Sequence, residues 1–129
     1  MAYTIMVVDD SETIRSVLER TIGMTKLPVD DIIQAANGKD ALEKLVDKWV
    51  DIVFTDINMP EMNGVELVDA MNDNPEYREI PVVIVSTEGS KSRIEQLRQK
   101  GIKGYFRKPF TSENIRDIII ETLGGWGVE

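Results

Sequence analysis

The chain has 129 residues, 42% of them hydrophobic and 29% charged, which suits one folded domain and excludes a disordered segment. A net charge of -8 opposes contact with a phosphate backbone, so nucleic acid is not an expected ligand. With neither Cys nor His, the chain has no disulfides, thiolates or imidazole bases, and any chemistry falls to carboxylates, hydroxyls and Lys.

In chain order, residues 5–8 form a short apolar run that predicts a strand. Ser11 then reads as the N-cap of a helix whose Ile14, Val17, Leu18, Thr21 and Ile22 share a face. A second strand is expected over 32–35. After Asn37-Gly38, a stripe of Ala41, Leu42, Leu45, Val46 and Trp49 predicts a second helix. Residues 52–55 make a third strand, and Asn63-Gly64 opens a third helix with Leu67, Val68 and Met71 inward. A fourth strand covers 82–85. The helix that follows, over 90–100, has only Ile94 and Leu97 to bury and is a candidate moving part. A fifth strand is expected at 105–107, then a helix with Ile115, Ile118, Ile119 and Leu123 facing the core. The folded region is expected to span 1–124, leaving 125–129 as a frayed tail in which Trp126 packs locally.

Strict alternation of five strands and five helices predicts an α/β fold, an open doubly wound parallel sheet with helices on both faces. Ligands of such sheets bind at the carboxyl ends of the strands. No apolar run approaches the roughly 20 residues of a membrane span, and the start MAYTIMVVDD lacks the marks of a signal peptide, so a cytoplasmic, membrane-free protein is expected.

Chemistry-bearing residues sit at four of those strand ends: Asp9-Asp10, Asp56, Ser86-Thr87 and Lys108-Pro109. Carboxylates about 4 Å apart repel by ~4 kcal/mol per pair at an effective dielectric of about 20, so their convergence predicts a bridging divalent cation. An oxygen-only ligand set favours Mg²⁺, which keeps waters and recruits phosphate oxygens. Asp56, ending a buried strand, is then placed to act as nucleophile toward a phosphoryl group, with Lys108 and the Ser86 hydroxyl meeting the phosphoryl oxygens. Taken singly, each residue also suits a structural role: Asp56 capping a turn, Asp9-Asp10 capping the first helix, Ser86 and Thr87 turning, Lys108 solvated. Tyr105 suits a core position and a switch position equally. Their coincidence at four strand ends favours the functional reading.

Asp9-Asp10, "TDINMPEMNG" with Asp56, "IVST" with Ser86 and "YFRKPF" with Lys108 resemble the response-regulator receiver domain of two-component systems over essentially the whole chain. The likeness is greatest to the single-domain regulators of chemotaxis. The resemblance implies the flavodoxin-like strand order 2-1-3-4-5. It implies Mg²⁺ held by Asp10, Asp56 and the backbone carbonyl of Asn58, with Asp9 acting mostly through water, and a cis bond before Pro109. Asn58 and Glu88 match the variable positions that tune loss of the phosphoryl group. Thr87 departs from the smaller Ala often found at its position, and Ile57 from the Trp of a well-known chemotaxis member; neither removes a chemical group. The resemblance further implies a Ser86–Tyr105 switch that alters the face made by the fourth helix, fifth strand and fifth helix. Lys91, Arg93, Arg98, Lys100, Lys103 and Arg107 gather there, which suits an acidic partner surface.

The function so implied is that of a monomeric regulator: a sensor histidine kinase phosphorylates Asp56, and the signal passes by protein contact to a flagellar motor switch component or a phosphatase. A phosphorelay intermediate or phosphate sink, handing the group to another His protein, remains open. A phosphatase of the haloacid dehalogenase type would need an acid two residues after Asp56, where Asn58 stands, so a turnover enzyme is not expected. A flavin carrier on the same fold would set its phosphate against Asp9-Asp10.

Overall fold

Every helix begins on a side chain that accepts a backbone N–H: Ser11, Asn37, Asn63, Ser90 and Thr111 bond the amides of Ile14, Asp40, Glu66, Arg93 and Asn114. Such caps satisfy donors that the first helical turn leaves open and fix where each helix starts. Asn63–Glu66 and Thr111–Asn114 are reciprocal capping boxes. In the computed structural model, which describes residues 2–87 and 90–124, the elements run β1 (Tyr3–Val8), α1 (Glu12–Met24), β2 (Val29–Ala35), α2 (Gly38–Asp47), β3 (Ile52–Thr55), α3 (Gly64–Asn72), β4 (Val82–Ser86), α4 (Lys91–Gln99), β5 (Gly104–Arg107) and α5 (Ser112–Leu123). Glu88 and the tail at 125–129, Trp126 included, lie outside the described residues.

All five strands are parallel, in the order β2-β1-β3-β4-β5. The period of two along β1 divides the core: Met6 and Val8 pack with Leu45, Leu67, Val68 and Leu97, while Ile5 and Val7 pack with Leu18, Ile22, Ile115 and Ile119 on the other face. Apolar residues pointing both ways make β1, β3 and β4 continuous hydrophobic runs, as central parallel strands require. Among the described residues no helix is long and apolar enough to cross a membrane.

Three sequence expectations need correction. β2 starts at Val29, three residues earlier than the apolar run suggests. Its extra residues include Asp30 and Asp31, both exposed, and an edge strand can hold acids because one side faces water. Second, α2 ends at Asp47, since Lys48 is extended, so Trp49 falls outside the helical stripe and is 67% exposed. Val46 remains in the helix but faces solvent at 73%. Third, Val17 is exposed on α1, and the inward face is carried by Leu18 and Ile22. α4 conforms, with Leu97 buried and Ile94 half-buried.

Candidate functional site

The parallel sheet brings the ends of β1 and β3 side by side, with Val8 opposite Thr55 and the Asp56 amide donating to the Val8 carbonyl at 3.0 Å. Asp9, Asp10 and Asp56 therefore meet at one rim, each with a carboxylate oxygen within 4.8 Å of the others. Asp9 is buried, Asp56 half-buried and Asp10 exposed, so the cluster grades from the protein interior to solvent. Lys108 reaches across from the residue after β5, its Nζ donating to Asp9 Oδ2 at 3.0 Å and to Asp56 Oδ2 at 3.2 Å. The Lys108–Pro109 peptide is cis, as the family resemblance implies.

Backbone donors hold the carboxylates in place. The Ser11 amide donates to Asp9 Oδ1 at 2.9 Å, and the Ile57 amide to Asp56 Oδ1 at 2.7 Å. Burial pushes the Asp9 carboxyl up; the Ser11 amide and Lys108 pull the other way without overcoming it, and the Asp56 charge adds to the rise. Burial would lower the Lys108 ammonium, but its hydrogen bond to Asp9 and the charges of Asp56 and Asp9 leave it above its ordinary value. Lys108 is thus cationic at neutral pH, and the pair opposes one ammonium to two acids.

Asp10 adds a third carboxylate that these contacts leave unmatched. An all-oxygen set with residual negative charge, open to solvent on the Asp10 side, suits a hard divalent cation. Among the described residues this is the group of acids that meets the geometry of a metal site.

Of the other residues singled out in the sequence, Ser86 ends β4, the neighbour of β3, and is fully buried, its carbonyl accepting the Lys108 amide at 2.9 Å. Asn58 lies exposed in the β3–α3 loop, and Thr87 is exposed beyond β4. Tyr105, opposite Ile84 on β5, packs its ring on the core face shared by α2, α3 and α4, and its hydroxyl oxygen is buried. In the basic stripe, Lys91, Arg98, Lys103 and Arg107 are exposed, but Lys100 is engaged by Asp69 of α3 at 2.7 Å.

Sequence reasoning missed two residues. Arg15 donates from Nη1 to the Asp9 carbonyl at 2.6 Å and from Nε to Gln34 Oε1 at 3.0 Å, tying α1, β2 and the acidic turn together. Its only sequence signal is an Arg in the first turns of the helix that follows Asp9-Asp10. Gly64 is the other: a Cβ there would lie 2.3 Å from the Asp56 carbonyl oxygen. The glycine lets the start of α3 close against the backbone of the Asp56 turn.

Residues 5–120 match the family described as response regulator receiver domain. The chain belongs to this family. A receiver domain 36% identical over 121 residues, covering 93% of this chain and 92% of the relative, is the chemotaxis protein CheY homolog of Campylobacter jejuni. Chemotaxis protein CheY1 of Helicobacter pylori is 35% identical over 121 residues, covering 93% of this chain and 96% of its own. Among solved receiver structures, the chemotaxis response regulator CheY4 of Vibrio cholerae is 28% identical, with a TM-score of 0.83 over 95% of this chain and 99% of that one. The flavodoxin-like fold and the response-regulator class read from the sequence both hold.

Proposed function

We propose that this receiver domain accepts a phosphoryl group on Asp56 from a histidine kinase, with Mg²⁺ bound by Asp10, Asp56 and the Asn58 carbonyl, and signals by protein contact in chemotaxis. The observation that carries the reading is the Lys108 ammonium shared between Asp9 and Asp56 beside the open carboxylate of Asp10. Magnesium, when bound, neutralises charge on the transferring group and the acids around it.

An Asp56 carboxylate oxygen attacks the phosphorus of a phosphohistidine; the new O–P bond forms as the N–P bond breaks, and the imidazole nitrogen keeps the electron pair. Lys108 supplies a fixed positive charge to one phosphoryl oxygen, and its raised pKa keeps that charge in place. The buried Asp9 serves as the inner counter-charge and would help hold Mg²⁺ mostly through water. Ser86, drawn toward the new phosphoryl oxygens, would shift β4 relative to Tyr105 on the next strand, and this couples the site to the α4–β5–α5 face. The thin apolar anchoring of α4 supports that face as the mobile output. The protein acts as a signal carrier in the cytoplasm and not as a turnover enzyme, and its receiver domain is assigned to residues 1–124.

The test is amide NMR of the protein titrated with Mg²⁺ and then beryllofluoride, a mimic of the phosphoryl group. Shifts should begin at residues 9, 10, 56 and 58 with the metal and spread to 86, 105 and α4 with the mimic. Metal shifts located elsewhere would refute the assignment.

A further inference from the structure

A groove of about 450 Å³ lies at the amino ends of β3 and β4, the end of the sheet opposite the carboxylate cluster. Leu45 and Ile80 form its buried floor and Tyr77 is half-buried beside them, while Val46 and Trp49 stand at its mouth. These last two are the most exposed large apolar side chains among the described residues. Placing them together on the surface costs solubility and does nothing for the core, which marks such a patch as a contact surface.

Trp49 is held in position. Its Nε1 donates to Asp51 Oδ1 at 3.0 Å, and Asp51 Oδ2 accepts the Thr4 amide at 2.8 Å, so the indole is anchored through a carboxylate to the start of β1. An exposed aromatic fixed before any partner arrives loses little freedom on binding and suits the centre of an interface.

The rim decides among occupants. Asp47 and Glu76 border the groove on its two sides, and the lining cation, Lys48, is drawn toward Asp31 at 3.7 Å. A two-fold pair of this chain would set those carboxylates against their own copies. An anionic bilayer would meet the same acids on a chain of net charge -8. A cationic segment with an apolar anchor meets neither objection.

We propose that this groove docks a basic amphipathic helix of a partner protein, its apolar face against Val46, Trp49 and Tyr77 and its Lys or Arg residues toward Asp47 and Glu76. Five residue rises separate Asp51 from Asp56, about 16 Å of strand, so the partner occupies a surface independent of the phosphorylation reading above. Such a contact holds the receiver in place whatever the state of its carboxylate end.

The experiment titrates the protein with a synthetic helix bearing a leucine face flanked by lysines, and with its glutamate-flanked counterpart, followed by amide NMR. The lysine form should shift residues 45–49 and 76–80, weaken as salt rises, and lose roughly tenfold in affinity in Trp49→Ala and in Val46→Glu. Both substitutions are at exposed positions, and an unchanged unfolding midpoint checks the fold. Shifts scattered over the acidic surface, equal binding of the glutamate form, or affinity unaltered by both variants would overturn the proposal. So would self-association or anionic-vesicle binding that protects Trp49 in place of the peptide.

Discussion

Gly64 sits so close under Asp56 that a methyl group in place of its Cα hydrogen would lie 2.3 Å from the Asp56 carbonyl oxygen. The Gly64 amide also donates to the Ile57 carbonyl at 2.7 Å, so the start of α3 and the Asp56 turn are one rigid unit. We predict that Gly64→Ala costs about 2–3 kcal/mol, because backbone must move where no flexible side chain can yield. Urea unfolding measures the loss. Asp56 should also label more slowly from acetyl phosphate, since its oxygen moves with that backbone.

Asp56→Asn is expected to abolish acyl-phosphate formation from acetyl phosphate and Mg²⁺. An amide in this place still accepts the Ile57 amide at the Oδ1 position, so the turn survives while the proposed nucleophile is lost. Intact-protein mass measurement reads the result, and unchanged labelling would move the acceptor to another residue.

Arg15→Ala removes two hydrogen bonds that join α1 to the Asp9 carbonyl and to Gln34. A bond from a charged donor is worth about 1.5–3 kcal/mol, and part of that is recovered by water at this half-buried position, so a loss near 1–2 kcal/mol is expected. Loosening the Asp9–Asp10 turn should lower Mg²⁺ affinity as well, by several-fold. Arg15→Lys, which restores charge but not the two-point geometry, should recover only part of either effect.

Much of this architecture was legible because its signals are local. The runs at 52–55 and 82–85 read as buried strands of a covered sheet, and Ser11, Asn37 and Asn63 announce helix starts within a residue. Asp9, Asp10, Asp56 and Lys108 could be gathered in advance because parallel topology sends every strand's carboxyl end to one rim. Val46 misled because helical spacing says which residues share a face but not whether a neighbour covers it, and Trp49 because the stripe runs on past the point where the backbone leaves the helix. Gly64 and Arg15 escaped for a related reason: their partners, the Asp56 and Asp9 carbonyls, are backbone atoms that no residue pattern displays.

Asp40 tests the electrostatics away from the cluster. Its Oδ2 accepts the Ala36 amide at 3.0 Å and faces Lys44 at 3.2 Å. Burial would raise its pKa, but the Ala36 amide and Lys44 together bring it below the ordinary 3.8. A depressed carboxyl contributes stability above its unfolded value and loses it as pH falls through the folded one. Asp40→Ala should therefore cost about 1 kcal/mol at neutral pH, and the gap to the parent should close as pH drops below 3.8. Denaturant midpoints across that window provide the check, and a gap independent of pH would assign the loss to packing.

Asp10 separates metal binding from folding. It is the exposed member of three acids whose oxygens lie within 4.8 Å, so without metal its charge repels Asp9 and Asp56 and contributes nothing that packing needs. Asp10→Ala should leave metal-free stability unchanged or slightly higher. In Mg²⁺ at a hundred times the dissociation constant, mass action adds about 2.7 kcal/mol to the parent. On the proposed ligand set, the variant should gain little of it at the same concentration. Urea unfolding of both proteins with and without MgCl₂ decides the matter: an equal magnesium-induced gain in the two would remove Asp10 from the ligand set and leave its position at the rim without a chemical reason.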